Sequence, residues 1–368
     1  MKSENTIPTP APLFGFFKVV KGEKPKAGHA FDARFYLLDP KDAFAPPIRY
    51  SWEMIRRFSP ENFGIMEFRS ERDYELCAKV RGENPLLQSL EFRSSTELHM
   101  TNDNHFFRKL AGKKAAAGQM LLYEGKMIHQ FDAGNYAVVE KEVREELLRK
   151  EIYRLAKLVR EVKPKKLEGN AVPEKRDELD ERLGKIFKAK KFRLQFEFPR
   201  VVYREIGSST NERTIIATEV PADVCLNNKL PYAAPFNYEL SDNGQLQQIE
   251  WDANETRSLL ALLNSLVLNF YLRSKISATL NMFYMYELPM PELSAAQKKN
   301  LAEFAGKLLK NPRDMKERAA LEVFIARELY GLSLDDWQHL TGTFTFGSGE
   351  SKAELDEIIR QSLALWKD

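Results

Sequence analysis

Between residues 138 and 192 the spacing of apolar residues fixes the local fold more tightly than anywhere else in the chain. Leu148, Ile152, Leu155, Val159 and Val162 recur at intervals of four, three, four and three, which draws one apolar stripe down a helix whose other faces carry Glu, Lys and Arg. Pro164 stops this helix, because proline lacks the N–H that the next turn needs. Beyond the connector KPKKLEGNAVP a second charged helix is expected over 174–190, and the pair reads as a helical hairpin or arm. Its charges fit a solvated face, while the lysine-rich end at Lys188, Lys190 and Lys191 also suits contact with phosphate.

On either side the pattern changes. Residues 1–12 carry three prolines and read as a flexible lead. From 13 to 137, short apolar runs such as LFGFFKVV and ARFYLLD alternate with Pro and Gly, which predicts strands joined by loops with a helix or two, one of them over Glu71–Val80. In 193–293 the stretches RLQFEFPRVVYREI and RTIIATEVP predict strands, the apolar run from Ser258 to Leu272 a buried core helix, and NMFYMYELPMP a strand stopped by Pro289 and Pro291. Residues 294–368 read as a helical cap: Ser294 and Gln297 have capping-box spacing, and RAALEVFIARELYG ends at Gly331, a plausible stop. The expected fold class is α+β, with a mixed N-terminal domain, a projecting helical pair, a β-rich domain and C-terminal helices.

With 43% hydrophobic residues in 368, the chain can fill sizeable cores. Its charged residues nearly cancel to a net +3, so attraction to a polyanion has to come from a local surface. Cys77 and Cys225 lie far apart, which excludes a disulfide framework and a CxxC zinc site and fits a reducing cytoplasm. The sequence has no span of about 20 apolar residues, so no membrane partner is expected.

Motifs for catalysis are missing. The chain has no glycine-rich phosphate loop, no HExxH and no GxSxG. His29, His99, His105, His129 and His339 are scattered in no zinc-ligand spacing. Glu124-Gly125-Lys126 matches the ExK half of a nuclease metal motif without its Pro-Asp partner. No metal or cofactor is expected on this chain.

What stands out instead is polar residues on turns beside apolar strands. ELHMTNDNHFF (97–107), LLYEGKMIHQFD (121–132), YREIGSSTNERT (203–214) and LRSKISATLNMF (272–283) share this texture. Asn matches the edge of adenine, Arg matches guanine, and Ser or Thr hydroxyls approach phosphates closely. The same runs also serve as Asx and Ser/Thr turns that cap secondary structure. Glu212 and Arg213 have a second reading, as partners of Arg204 and Glu205 across a hairpin, and Arg273 and Lys275 suit the C-terminal dipole of a buried helix.

Taken in order, IRRFSPENFGIMEFRSERD (55–73), ELHMTNDNHFF, LLYEGKMIHQFD, VVYREIGSSTNERTIIATEVP (201–221) and LNSLVLNFYLRSKISATLNMFYMYELPMP (263–291) resemble, block by block, the C-terminal region of large adenine-specific DNA methyltransferases. These are the fused type IIG restriction-modification enzymes and the related methylases of BREX and DISARM phage-defence systems. The resemblance runs from about residue 13 to 340, and its last block is also similar to type I specificity subunits. It implies a target-recognition region that reads double-stranded DNA for a methyltransferase catalytic domain or subunit. That catalytic half would hold S-adenosylmethionine and the Asn-Pro-Pro-Tyr motif, neither of which has a counterpart here: Asn84 and Asn311 open the only Asn-Pro steps, and neither continues as NPPY. The residues expected to meet DNA are Thr101, Asn102, Tyr123, Lys126, Arg204, Ser208, Ser209, Thr210, Asn211, Arg213, Arg273, Lys275, Thr279 and Asn281. The alternative is a scaffold subunit of a defence complex that touches DNA little.

Overall fold

The computed structural model describes residues 30–35, 44, 46–108, 119–134, 137–140, 142–207, 211–276 and 279–367. The chain divides into two compact units, Met1–Arg81 and Gly82–Asp368. The expected lead over 1–12 lies outside the described residues.

In the first unit β1 (Ala30–Ala33) pairs antiparallel with β2 (Ile48–Ser51). The chain then turns directly into α1 (Trp52–Phe58), because the Ser51 hydroxyl accepts from Met54 N and caps the first turn. The second helix, α2 (Glu71–Arg81), forms where the sequence predicts it. Tyr50, Phe58 and Phe68 are buried, and the Tyr50 hydroxyl donates to the Met66 carbonyl at 2.7 Å, so the ring is sealed in with its polar tip satisfied.

The second unit is α+β. One sheet has the order β12-β11-β14-β3, built from β3 (Ser94–Ser95), β11 (Arg200–Tyr203), β12 (Ala217–Val220) and β14 (Tyr232–Ala233). The other has the order β13-β5-β8-β4, from β4 (Phe107–Arg108), β5 (Gln119–Tyr123), β8 (Ala137–Glu140) and β13 (Val224–Leu226). Short antiparallel pairs flank them: β6 (Ile128–His129) with β7 (Asp132–Ala133), β9 (Lys166–Leu167) with β10 (Asn170–Ala171), and β15 (Phe236–Leu240) with β16 (Leu246–Glu250).

The predicted arm is α3 (Val143–Val162) and α4 (Arg176–Ala189). It is docked along its length. Ile152, Leu155 and Val159 share one core with Leu179 and Leu183 of α4 and with Leu122 and Val139 of the sheet. A stripe this regular needs a cover, and a sheet face supplies it.

The apolar run from Ser258 to Leu272 is two helices, α5 (Ala253–Leu263) and α6 (Leu266–Arg273). Asn264 ends the first, and the Ser265 hydroxyl caps the second by accepting from Leu268 N. Its Asn264 and Asn269 side chains are turned to structural use: Asn264 exchanges hydrogen bonds with the Ala217 backbone, and Asn269 Oδ1 accepts from Thr214 N and Ile215 N. The stretch read as a strand at NMFYMYELPMP is a short helix, α7 (Met282–Tyr286), followed by an extended segment that bridges Leu86 at Pro289.

The C-terminal helices are α8 (Ala295–Lys310), α9 (Met315–Val323), α10 (Leu334–Gly342) and α11 (Gly349–Lys367). The Ser294–Gln297 capping box forms, and Gly331 takes the positive φ of 61° that lets the chain leave the π-helical turn after α9. Among the described residues no helix is long and apolar enough to cross a membrane.

Candidate nucleic-acid interface

Three chain segments run parallel into one edge of the second unit. Strand β13 pairs parallel with β5, and Leu98 bridges Asn227 in parallel on the other side. The turns that follow these segments emerge together at their carboxyl ends, the end at which parallel strands present ligand-binding loops. They are the turns at 100–102, 124–126 and 227–229.

Hydrogen bonds tie the turns to one another. Met100 N donates to Asn228 Oδ1 at 3.2 Å, Asn228 N to the Leu98 carbonyl at 2.8 Å, and Asn227 N to the Tyr123 carbonyl at 3.1 Å. The chain leaving β11 joins them: Glu205 N donates to the Lys229 carbonyl at 3.2 Å, and the two side chains form an ion pair of 2.6 Å. Leu280 N then donates to the Glu205 carbonyl at 2.7 Å, and Ile206 bridges Thr279. Gly125 is small because a Cβ there would press on the Lys229 carbonyl at 3.1 Å.

Beneath the turns lies a buried ion pair. Glu97 and Arg200 are both sealed from solvent and hydrogen-bonded to each other, Glu97 Oε2 accepts from Leu226 N at 2.7 Å, and Arg200 also donates to the Val224 carbonyl at 2.5 Å. Burial pushes the Glu97 carboxyl up and Arg200 pulls it back down. This pair fixes three segments below the edge. Reading the sequence alone missed it, since a lone Glu before a Leu-His step carries no pattern.

The predicted contact residues divide into two groups. Thr101, Asn102, Lys126, Thr279 and Asn281 are exposed on the converging turns. Asn281 sits at the N-cap of α7 without a side-chain capping bond. Lys126 is 78% exposed and pairs with Glu124 at 3.1 Å, so the ExK triplet is a salt-bridged turn. His99 Nδ1 accepts from Thr101 N at 3.2 Å and so holds the start of the MTNDN turn. Sequence reasoning did not single out Asn228 and Lys229; the Asn-Asn-Lys turn between two apolar runs was the available signal.

A second group faces inward. Arg213 is buried, 3.6 Å from Glu322 and donating to the Asn264 carbonyl at 3.0 Å. Arg273 is buried and donates to the carbonyls of Asn211 and Glu212 at 2.7 and 3.0 Å, with its guanidinium over the Phe344 ring. Lys275 pairs with Glu287 at 2.8 Å, and both side chains are almost fully enclosed. Tyr123 belongs to the core with Ile128 and Val202. Arg204 is half-buried and donates to the Ile128 carbonyl.

These placements correct the expected roles of Arg213, Arg273, Lys275, Tyr123 and Arg204 as groups that reach DNA; of the alternative pairing across a hairpin, Arg213 turns to Glu322 and Glu205 to Lys229, while Glu212 stays within electrostatic reach of Arg204. In each case an internal acceptor or apolar neighbour already takes the side chain. Asn211 is exposed, but Arg273 anchors its carbonyl; Ser208, Ser209 and Thr210 lie outside the described residues.

Among the described residues no group of three or more His, Cys, Asp or Glu side chains is placed to hold a metal ion. A comparison with known families finds no family model that matches the chain, and a comparison with curated proteins finds no match either.

Proposed function

We propose that this chain supplies DNA target recognition to an adenine-N6 methyltransferase of a restriction-modification or phage-defence system. The observation that carries this reading is the convergence on one edge of turns that lie far apart in sequence, around residues 101, 125, 228 and 280. Exposed amides at Asn102 and Asn281 suit base edges, and the ammonium groups of Lys126 and Lys229 suit phosphates. The resemblance to the recognition region of such enzymes points the same way. Catalysis and the S-adenosylmethionine site are assigned to a partner polypeptide or domain, because the motifs for both are missing from this sequence.

Both lysines are matched by carboxylates, Glu124 and Glu205, so affinity for the isolated chain should be modest and its salt dependence shallow. The test is fluorescence anisotropy of a labelled random-sequence duplex at low salt, with and without an added adenine-N6 methyltransferase catalytic subunit. Binding that Lys126→Ala and Lys229→Ala together weaken at every sequence supports the reading. If the wild type binds no duplex in either setting, the chain is a protein-interaction subunit.

A further inference from the structure

A groove of about 540 Å³ opens between the end of the β15–β16 pair, the first turns of α5 and the extended segment before α8. Its floor is apolar and sealed: Leu87, Leu259, Leu262 and Met290 are each at most 5% exposed. Leu90 and Ile249 line the same groove and remain 43% and 41% exposed, which leaves apolar surface uncovered beside the sealed floor.

The rim is acidic. Glu91, Glu250, Glu255 and Glu292 line it against a single ammonium, Lys298, which lies 3.8 Å from Glu255. This charge repels a phosphate backbone, and none of the turns of the proposed DNA edge lines the groove. Apolar anchors set among cations match both its floor and its rim.

We propose that this groove docks a segment of a partner protein in which leucine- or aromatic-type anchors are interspersed with lysine or arginine. The anchors cover the Leu90 and Ile249 side chains, and the flanking cations meet Glu91, Glu250 and Glu292. The inference is independent of DNA recognition and stands or falls apart from it.

Two fluorescein-labelled amphipathic peptides of about 16 residues test it, sharing leucines at helical spacing and carrying either lysines or glutamates elsewhere. The full chain is expected to bind the lysine peptide about tenfold more tightly or better. The double variant Glu250→Lys/Glu292→Lys should reverse that preference, and Glu250→Gln/Glu292→Gln should reduce it. All four substitutions are at exposed positions and should leave the melting temperature and duplex binding unchanged. Hydrogen exchange with the lysine peptide bound should show protection at 87–91, 249–251 and 290–293. Equal binding of the two peptides, an unaltered preference in the charge-reversed variant, or protection confined to other segments overturns the proposal.

Discussion

Glu97 and Arg200 lock together beneath the exposed turns, with Leu226 N held by the same carboxylate and the Val224 carbonyl by the same guanidinium. Both ends of the pair are enclosed, so deleting one leaves an uncompensated charge where water cannot reach it. Glu97→Ala is expected to cost about 3–5 kcal/mol of stability. Urea denaturation measures it; Glu97→Gln, which keeps an acceptor for Leu226 N, should cost less.

Arg213 and Lys275 each contact a buried carboxylate, Glu322 and Glu287. Arg213→Ala and Lys275→Ala should therefore lower stability by about 3–5 kcal/mol each, with no change confined to one base position. The double variant Lys275→Met/Glu287→Leu removes both charges and should recover most of the loss. A Lys275→Ala protein of unaltered melting temperature would refute the structural role.

Glu322 gives stability an uncommon pH dependence. Burial pushes its carboxyl up to about 7, with Arg213 pulling the other way. In the unfolded chain a glutamate titrates near about 4.3, so between these values the folded state holds the proton more tightly. Its contribution to stability accordingly declines as pH rises through that window, the opposite of an ordinary ion-paired carboxylate. The melting temperature of the wild type minus that of Glu322→Gln should fall between about pH 5 and 8; a rise would refute it.

Periodicity made α3 and α4 legible, and capping chemistry placed the start of α8. The class of fold followed from the same signals. Two long apolar stretches misled for a physical reason: Asn264 and Ser265 end one helix and begin the next, while the aromatic residues at 282–286 make a short helix that β propensity masks. The candidate interface was half legible. Polar turns could be found by texture, yet whether an arginine on such a turn faces solvent depends on Asn264, Glu322 and Asn269, residues 51–109 positions away in sequence. Local sequence carries no information about acceptors that distant.

Gly207 lies close against the backbone of Thr214. A Cβ at this position would collide with the Thr214 carbonyl oxygen, which is backbone and cannot swing aside. Gly207→Ala should therefore force the two limbs apart and cost about 1–3 kcal/mol. Urea denaturation measures the loss, and an unaltered midpoint would refute the close packing of Gly207 on Thr214.

Asn102 and Asn281 offer the sharpest separation of recognition from folding. Both side chains are exposed, and the Asn281 side chain makes no capping bond to the helix it precedes. A bidentate amide–adenine contact discriminates by about 1–3 kcal/mol, so Asn102→Ala or Asn281→Ala should relax choice at one base position while leaving the melting temperature unchanged. Lys126→Ala should instead weaken binding to all sequences alike and reduce the slope of log affinity against log salt by about 1. On the proposed function, selection from a randomised duplex library by the chain reads both effects at once: a lost preference at a single column for the amides, and an unaltered motif with weaker binding for the lysine. If both asparagine variants returned the wild-type motif at wild-type affinity, the converging turns would not be a surface that reads sequence, and the proposed recognition role would be refuted.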